Sequence, residues 1–268
     1  MEYVVCAGLF VALKLAIIFR KIKKPRFHPP RAALQGGAMT GKPGLSRNGA
    51  AAIAALFVFA LAFGYVEGAV AHYLRMHYYP GGFAFPLKEM DLPTVLIEMG
   101  REFATLVMMA SVAFFFGGPF YRRFAAFVFV FGVWDIAYYG GLWLFESWPR
   151  SLLDPDVLFL IPVPWMAPVI VPIVVSGLGI AGFFLEEWYF RRSGKVRIGF
   201  PAVLCQAAAF VVWLVSFLLS FAAYPAQGRY SWPLFFTGCG LTLAAFALLA
   251  RDNTVPKGLL PDTGMGSG

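Results

Sequence analysis

Residues 124–145 read FAAFVFVFGVWDIAYYGGLWLF, an apolar stretch in which Asp135 is the single charged side chain. A helix needs about 20 such residues to cross a bilayer. A carboxylate at the centre of such a helix costs about 2.5–3.5 kcal/mol on insertion scales. Asp135 is therefore expected to face the interior of a helix bundle, where a polar group, water or a ligand would meet it.

The composition of the whole chain agrees with a membrane protein. Hydrophobic residues make up 60% of the 268 residues, charged residues 13%, and the mean hydropathy is +0.71. Soluble domains hold about 25% charged residues. A membrane β-barrel would show alternating segments of about ten residues instead of long apolar runs. The composition predicts an all-α fold, a polytopic transmembrane helical bundle.

Five further runs of suitable length accompany residues 124–145, so we predict six core helices. The five runs are Ala50–Tyr73, Pro93–Phe116, Val157–Phe184, Ile198–Ala222 and Trp232–Leu249. They place a six-helix transmembrane domain at residues 49–250.

The two ends of the chain have a different character. Val4–Phe19 is apolar and predicts an N-terminal transmembrane helix within residues 1–24, although a mis-assigned start codon would also explain this run. Residues 25–48 are basic and rich in Pro and Gly, which predicts a flexible cytoplasmic linker. Residues 251–268 are expected to form a disordered cytoplasmic tail.

Positive charge is distributed unevenly among the loops. The formal net charge is +8, and its basic residues gather in alternate connections, at residues 20–47, 122–123, 191–197 and 251–257. This is the positive-inside pattern, so these loops and the C-terminus are expected to be cytoplasmic. The expected partners are the lipid bilayer and either a larger membrane complex or a second copy of the chain. Nucleic acid is not an expected partner.

Acidic residues form a ladder in the outer half of the predicted bundle. At about 1.5 Å per residue, Asp135 lies near the midplane, Glu102 slightly outward, and Glu67 and Glu98 about 10 Å outward. Arg101 shares a helix face with Glu98 and Glu102. We expect the ladder to form an ion, proton or substrate site. The alternative is a buried network that fixes helix register without chemistry.

The neighbours of these acids support convergence on one site. Glu67 shares its face with Gly64 and Gly68, and small residues allow close helix approach. Tyr138 and Tyr139 lie outward of Asp135, where phenolic hydroxyls would bind a carboxylate or its ligand.

The same carboxylates would suit a divalent metal, although the pattern is incomplete. Glu98 and Glu102 are one helical turn apart, and the candidate ligand set is Glu67, Glu98, Glu102, Asp135 and His72. Di-iron and di-manganese bundles also use Glu-x-x-His pairs, and this sequence has none. Haem is disfavoured, because the three histidines, His28, His72 and His77, offer no easy pair of axial ligands.

Prolines interrupt the fourth core run. Asp154 and Pro155 resemble an N-cap and a first-turn proline, so a helix is predicted to begin there. Four more prolines follow, at positions 162, 164, 168 and 172. Each removes an amide donor, which predicts a helix broken beside the cavity, with Trp165 as a cavity wall. A merely kinked packing helix is the alternative.

Three segments resemble those of a known family. They are FGVWDIAYY at 131–139, LIPVPW at 160–165 and YPGGFAFP at 79–86. Over about residues 66–175 the chain resembles a family of uncharacterised bacterial multi-pass membrane proteins. The resemblance implies location in the bacterial inner membrane and implies no activity.

Three functions fit the sequence. The best is proton- or cation-linked transport of a small solute through the carboxylate cluster. A carboxylate-ligated membrane metalloenzyme acting on a hydrophobic substrate is the first alternative, with Tyr138 or Tyr139 near the substrate. The second is a structural or assembly subunit of a membrane complex. The sequence does not decide whether the protein is an enzyme.

Overall fold

The computed structural model of the chain describes residues 47–161, 163–223 and 230–254, which form six helices and one β-hairpin. The helices are α1 (Arg47–Tyr78), α2 (Leu92–Phe115), α3 (Phe120–Glu146), α4 (Ile170–Ser193), α5 (Phe200–Ala222) and α6 (Trp232–Thr254). The hairpin strands β1 (Pro155–Phe159) and β2 (Trp165–Pro168) lie between α3 and α4. The described residues do not include the predicted N-terminal helix or Pro162. They also leave out nearly all of the predicted linker and most of the predicted tail.

Five of these helices, α1, α3, α4, α5 and α6, are long and apolar enough to cross a membrane. The expectation of a helical membrane bundle is confirmed at that level. Helix α2 has 24 residues but is not among the five. It holds Glu98, Arg101 and Glu102 within two turns, so its hydrophobic length is interrupted.

Helix α3 is the centre of the bundle. Helices α1, α2 and α4 pack against it, while α5 pairs with α6 and covers β2. A buried cluster that includes Phe129, Val130 and Phe183 holds α3 against α4. The hairpin therefore lies between α3 on one side and α5 on the other.

Glycines set the close approach of α1 to α3 and of α3 to α4. A Cβ atom on Gly64 would lie 2.5 Å from the carbonyl oxygen of Trp134 and 2.6 Å from Cβ of Ala137. A Cβ on Gly132 would lie 2.8 Å from the carbonyl oxygen of Ser176. These contacts leave room only for glycine, and they bring the polar residues of neighbouring helices within reach of one another.

The hairpin corrects the prediction for the fourth run. Pro155 begins strand β1 and pairs with Pro168, so no helix starts at Asp154. Strand pairing uses only alternate amides, and prolines at the ends of a short ladder remove few hydrogen bonds. Helix α4 begins at Ile170, beyond Pro168, and Pro172 falls in its first turn, where the amide has no intrahelical partner.

The bundle has two ends. We call the end with the hairpin and the connections 79–91 and 147–154 the hairpin end, and the end with connections 116–119 and 194–199 the basic end. At the basic end, Arg122 donates to Glu187 at 2.5 Å, and Arg191 donates to the same carboxylate at 2.6 Å. The basic end comprises the described loops that the sequence predicts to be cytoplasmic.

Candidate functional site

A cavity of about 190 Å³ lies between α3, the hairpin and the surrounding helices. Most of the site residues expected from the sequence line it, namely Glu67, Arg101, Glu102, Asp135, Tyr138, Tyr139 and Trp165. Glu98 does not line the cavity but binds Arg101 beside it. The structure thus brings residues from α1, α2, α3 and the hairpin to one place. We call this the carboxylate cavity.

Arg101 joins two of the acids. Its Nε donates to Oε2 of Glu98 at 2.7 Å, and its Nη1 donates to Oε1 of Glu67. Both carboxylates are buried. The hydroxyl of Thr105 lies 3.5 Å from the other oxygen of Glu67. One guanidinium therefore binds two carboxylates. When both acids are ionised, Arg101, Glu67 and Glu98 together have a net charge of −1.

Glu102 binds the hairpin through the main chain. The backbone N–H of Leu160, just after β1, donates to both carboxylate oxygens of Glu102 at 2.9 and 3.0 Å. Strand β1 ends at Phe159, so this amide lies outside the ladder and needs another acceptor. Glu102 supplies that acceptor and connects α2 to the hairpin.

Within the part of the chain that the structure describes, Asp135 has one hydrogen-bond donor, the hydroxyl of Ser176, at 2.8 Å from Oδ2. The close α3–α4 approach at Gly132 places that serine next to it. Among the described residues, neither Asp135 nor Glu102 forms an ion pair. Two buried carboxylates without a bonded cation thus line the same cavity.

Aromatic side chains form much of the remaining wall. They are Phe131, Trp134, Tyr138, Tyr139, Phe159, Trp165, Phe210, Trp213 and Phe217. The indole N–H groups of Trp134 and Trp165 are buried and have no hydrogen-bond partner within the described part of the chain. The cavity therefore combines aromatic faces, carboxylate acceptors and two unsatisfied donors.

A second charged cluster lies at the hairpin end. Arg75 donates to Oε1 of Glu146 at 2.5 Å and to Oδ1 of Asp156 at 3.1 Å. Its guanidinium lies between two rings, 4.0 Å from the centroid of Phe83 and 3.9 Å from that of Trp148. Two carboxylates and two aromatic faces hold this cation. We call these five residues the Arg75 clamp.

Asp156 connects the clamp to the carboxylate cavity. The hydroxyl of Tyr139, which lines the cavity, donates to Oδ2 of Asp156 at 3.1 Å. Burial raises the pKa of Asp156 to about 6, although the charge of Arg75 and the bond from Tyr139 act in the opposite direction. This carboxyl would therefore change its protonation between mildly acidic and neutral pH.

A wider pocket of about 380 Å³ lies on the outer side of the clamp. It is lined by residues 81–85, 146–148, 150, 154 and 155. Three clamp residues, Phe83, Glu146 and Trp148, are part of its wall. Pro155 lines this outer pocket and Val157 lines the carboxylate cavity, so Asp156 lies between the two spaces.

Sequence reasoning missed Arg75, Asp156 and Ser176, as well as the clamp aromatics Phe83 and Trp148. Arg75 follows Glu67 by eight residues, close to two helical turns, and this spacing would have placed both on one face. The roles of Asp156 and Ser176 depend on the hairpin and on the packing of α4 against α3. No local pattern in the sequence indicates either.

The residues expected to bind a metal are divided between the two clusters. Glu67 and Glu98 both accept from Arg101. Glu102 accepts from the backbone N–H of Leu160. Asp135 accepts from the hydroxyl of Ser176. Nδ1 of His72 lies 3.3 Å from Oε2 of Glu146, at the clamp. Within the described ranges, no three His, Cys, Asp or Glu side chains are grouped to hold a metal ion.

Comparisons with known proteins add nothing to this geometry, since no protein-family model, curated protein or solved structure matches the chain.

Proposed function

We propose that the protein is an integral membrane transporter that moves a small solute together with a proton or cation, and that the carboxylate cavity is its binding site. One observation carries the proposal. The buried side chains of Glu102 and Asp135 both line the carboxylate cavity, and neither forms an ion pair within the described residues. An isolated buried carboxylate is unfavourable unless a proton or a cation joins it.

The chemistry that follows is an exchange at two carboxylates. Oδ1 of Asp135 is free of the hydrogen bond that Ser176 donates to Oδ2, so it would hold the proton or face the cation. The Ser176 hydroxyl would stabilise the ionised form after the proton leaves. Glu102 would play the same part beside the Leu160 amide. Arg101 would bind Glu67 and Glu98 and fix the helices around the cavity.

The Arg75 clamp would act as the barrier at the hairpin end. It lies between the outer pocket and the cavity, and Asp156 contacts both Arg75 and the cavity residue Tyr139. Protonation of Asp156 would remove one of the two carboxylates that hold Arg75. The barrier is therefore expected to loosen as the outer pH falls.

The orientation belongs to the same proposal. With the basic end in the cytoplasm, the clamp and the outer pocket would face outward, and a bacterial inner membrane would supply the proton gradient across them. The proximity of the clamp to the cavity supports an entry path from that side.

The test is solute-evoked current from the purified chain reconstituted in proteoliposomes on a solid-supported membrane. A panel of amino acids, sugars, amines, carboxylates and metal cations is applied with and without a pH gradient. We expect at least one solute to give a current that Asp135→Asn abolishes. Glu89→Gln, an equally small change at an exposed residue outside the cavity, should retain it.

The proposal would be contradicted if, for every solute in the panel, the current of Asp135→Asn equalled that of the wild type. In that case the Arg101 group would be better explained as a buried network that fixes the packing of α1 against α2.

A further inference from the structure

We infer that the solute of the carboxylate cavity is a small monovalent organic cation, an ammonium compound that also carries a hydrogen-bond-accepting oxygen. The inference rests on the proposed transport function and names its substrate class. It follows from the charge, the walls, the unsatisfied donors and the size of the cavity.

The charged residues of the cavity wall indicate whether the ligand is a cation or an anion. Among the described residues, Arg101 is the one basic side chain in the cavity wall, and it is bonded to Glu67 and Glu98. Its charge is therefore already offset. Glu102 and Asp135 add two further carboxylates. When these acids are ionised, the cavity has an excess of negative charge, which favours a cation and disfavours an anion.

The walls distinguish an organic cation from a metal ion. A hard metal ion requires several oxygen ligands at about 2.0–2.6 Å, whereas aromatic faces dominate this wall. A substituted ammonium would lie against the aromatic side chains of this wall, which include Trp165 and Phe217. Such cation–π contacts are a common means of recognising quaternary ammonium groups.

The unsatisfied donors define a second feature of the ligand. Trp134 is buried, and its indole N–H lacks a partner among the residues that the structure describes. Trp165 shows the same unsatisfied N–H on the cavity wall. A buried donor without an acceptor is energetically costly. A ligand oxygen that accepted from either indole N–H would remove that cost, and a hydrocarbon cation would not.

The volume of the carboxylate cavity indicates the size of the ligand. A protein cavity of about 150 Å³ holds one benzene molecule, and this cavity measures about 190 Å³. By proportion, the ligand has about eight non-hydrogen atoms. This volume fits a compound the size of choline.

Three nearly isosteric probes test the class directly. Choline is the cation, 3,3-dimethyl-1-butanol is its neutral isostere, and 3,3-dimethylbutyrate is an anion of similar shape. Binding to the full purified chain in detergent is followed by tryptophan fluorescence and by calorimetry. We expect choline to bind saturably and at least about tenfold more tightly than the neutral alcohol, which corresponds to about 1.4 kcal/mol.

Variants connect the binding to the cavity. Asp135→Asn and, independently, Glu102→Gln should each lower choline affinity about tenfold or more, whereas Glu89→Gln should leave it unchanged. Two cavity variants are used so that one poorly folded protein does not decide the result. Equal affinity for choline and the alcohol, or tighter binding of the carboxylate, would overturn the inference.

The current measurement separates this inference from the proposed function. An Asp135-dependent current evoked only by neutral or anionic solutes would leave transport standing and overturn the cation class. Saturable, Asp135-dependent choline binding with no current from any solute would support the cation class and contradict transport.

Discussion

Arg75 and Asp156 are 81 residues apart in the chain, and the guanidinium of Arg75 donates to the Asp156 carboxylate at 3.1 Å. Both residues are buried, with 8% and 2% of their surface exposed. The contact fixes the end of α1 to strand β1 at the boundary between the outer pocket and the carboxylate cavity. It therefore connects the helical bundle, the hairpin and the entrance to the site.

Removal of the Arg75 charge should be strongly destabilising. Arg75→Met would leave Glu146 and Asp156 without their cation, and breaking one side of a buried pair costs about 3–5 kcal/mol. Thermal unfolding in detergent should show a large loss of stability at neutral pH. Arg197→Met, which removes an exposed arginine at the basic end, should change the unfolding free energy by less than about 0.5 kcal/mol.

A double variant tests the origin of that loss. Asp156→Asn should cost less in the Arg75→Met background than in the wild type, because the neutral amide relieves the uncompensated carboxylate. Additive costs of the two substitutions would show that the two residues do not interact.

Stability should depend on pH through Asp156. Its folded pKa is about 6 against an ordinary value of 3.8, so the folded protein holds this proton over a range where the unfolded chain has lost it. The folded state binds more protons in this window, and its stability from this group must fall as pH rises from about 4 to 6. At two pKa units the change is at most about 3 kcal/mol.

The comparison is between wild type and Asp156→Asn, measured by thermal unfolding in steps from pH 4 to 8. The difference in unfolding free energy between them should change through this window and level off above it. A difference that stays constant with pH would contradict a raised pKa for Asp156.

Helix approach at Gly64 should be sensitive to a single methyl group. Gly64→Ala places Cβ 2.5 Å from the carbonyl oxygen of Trp134, and overpacking of this kind costs about 1–3 kcal/mol. Gly140→Ala on α3 is the matched control, because its Cβ would meet no atom within 4 Å. The control should be neutral or stabilising by up to about 1 kcal/mol. Equal unfolding temperatures for the two variants would contradict the close packing of α1 on α3.

The Glu102 carboxylate should protect the amide of Leu160 from exchange. Both oxygens of Glu102 accept this N–H, and no other acceptor for it is found in the described part of the chain. Hydrogen–deuterium exchange of peptides spanning residues 157–161 should be faster in Glu102→Ala than in wild type. In Glu98→Ala, which leaves this bond intact, the exchange of these peptides should stay slow.

The helical part of the fold could be predicted from the sequence, because long apolar runs have few other ways to satisfy their backbone in a bilayer. The burial of Glu67 followed from Gly64 and Gly68, whose spacing defines one helix face. The depths of Glu102 and Asp135 in the membrane stay a prediction from the rise per residue. These inferences needed only periodicity and length.

The hairpin could not be predicted in the same way. A short apolar run with several prolines is compatible with a kinked helix or with two short strands, and periodicity does not separate them. Pairing of Pro155 with Pro168 depends on residues that lie apart in the chain. For the same reason Ser176 and Asp156 were not expected beside the site, because their partners are chosen by tertiary packing.

The central claim is that a carboxylate without a paired cation performs coupled transport in the cavity. Its most direct test is the solute-evoked current of proteoliposomes containing wild type, Asp135→Asn or Glu89→Gln at equal protein density. We predict a saturable current that increases with an inward proton gradient, is lost in Asp135→Asn and is retained in Glu89→Gln. An undiminished current in Asp135→Asn would contradict the account.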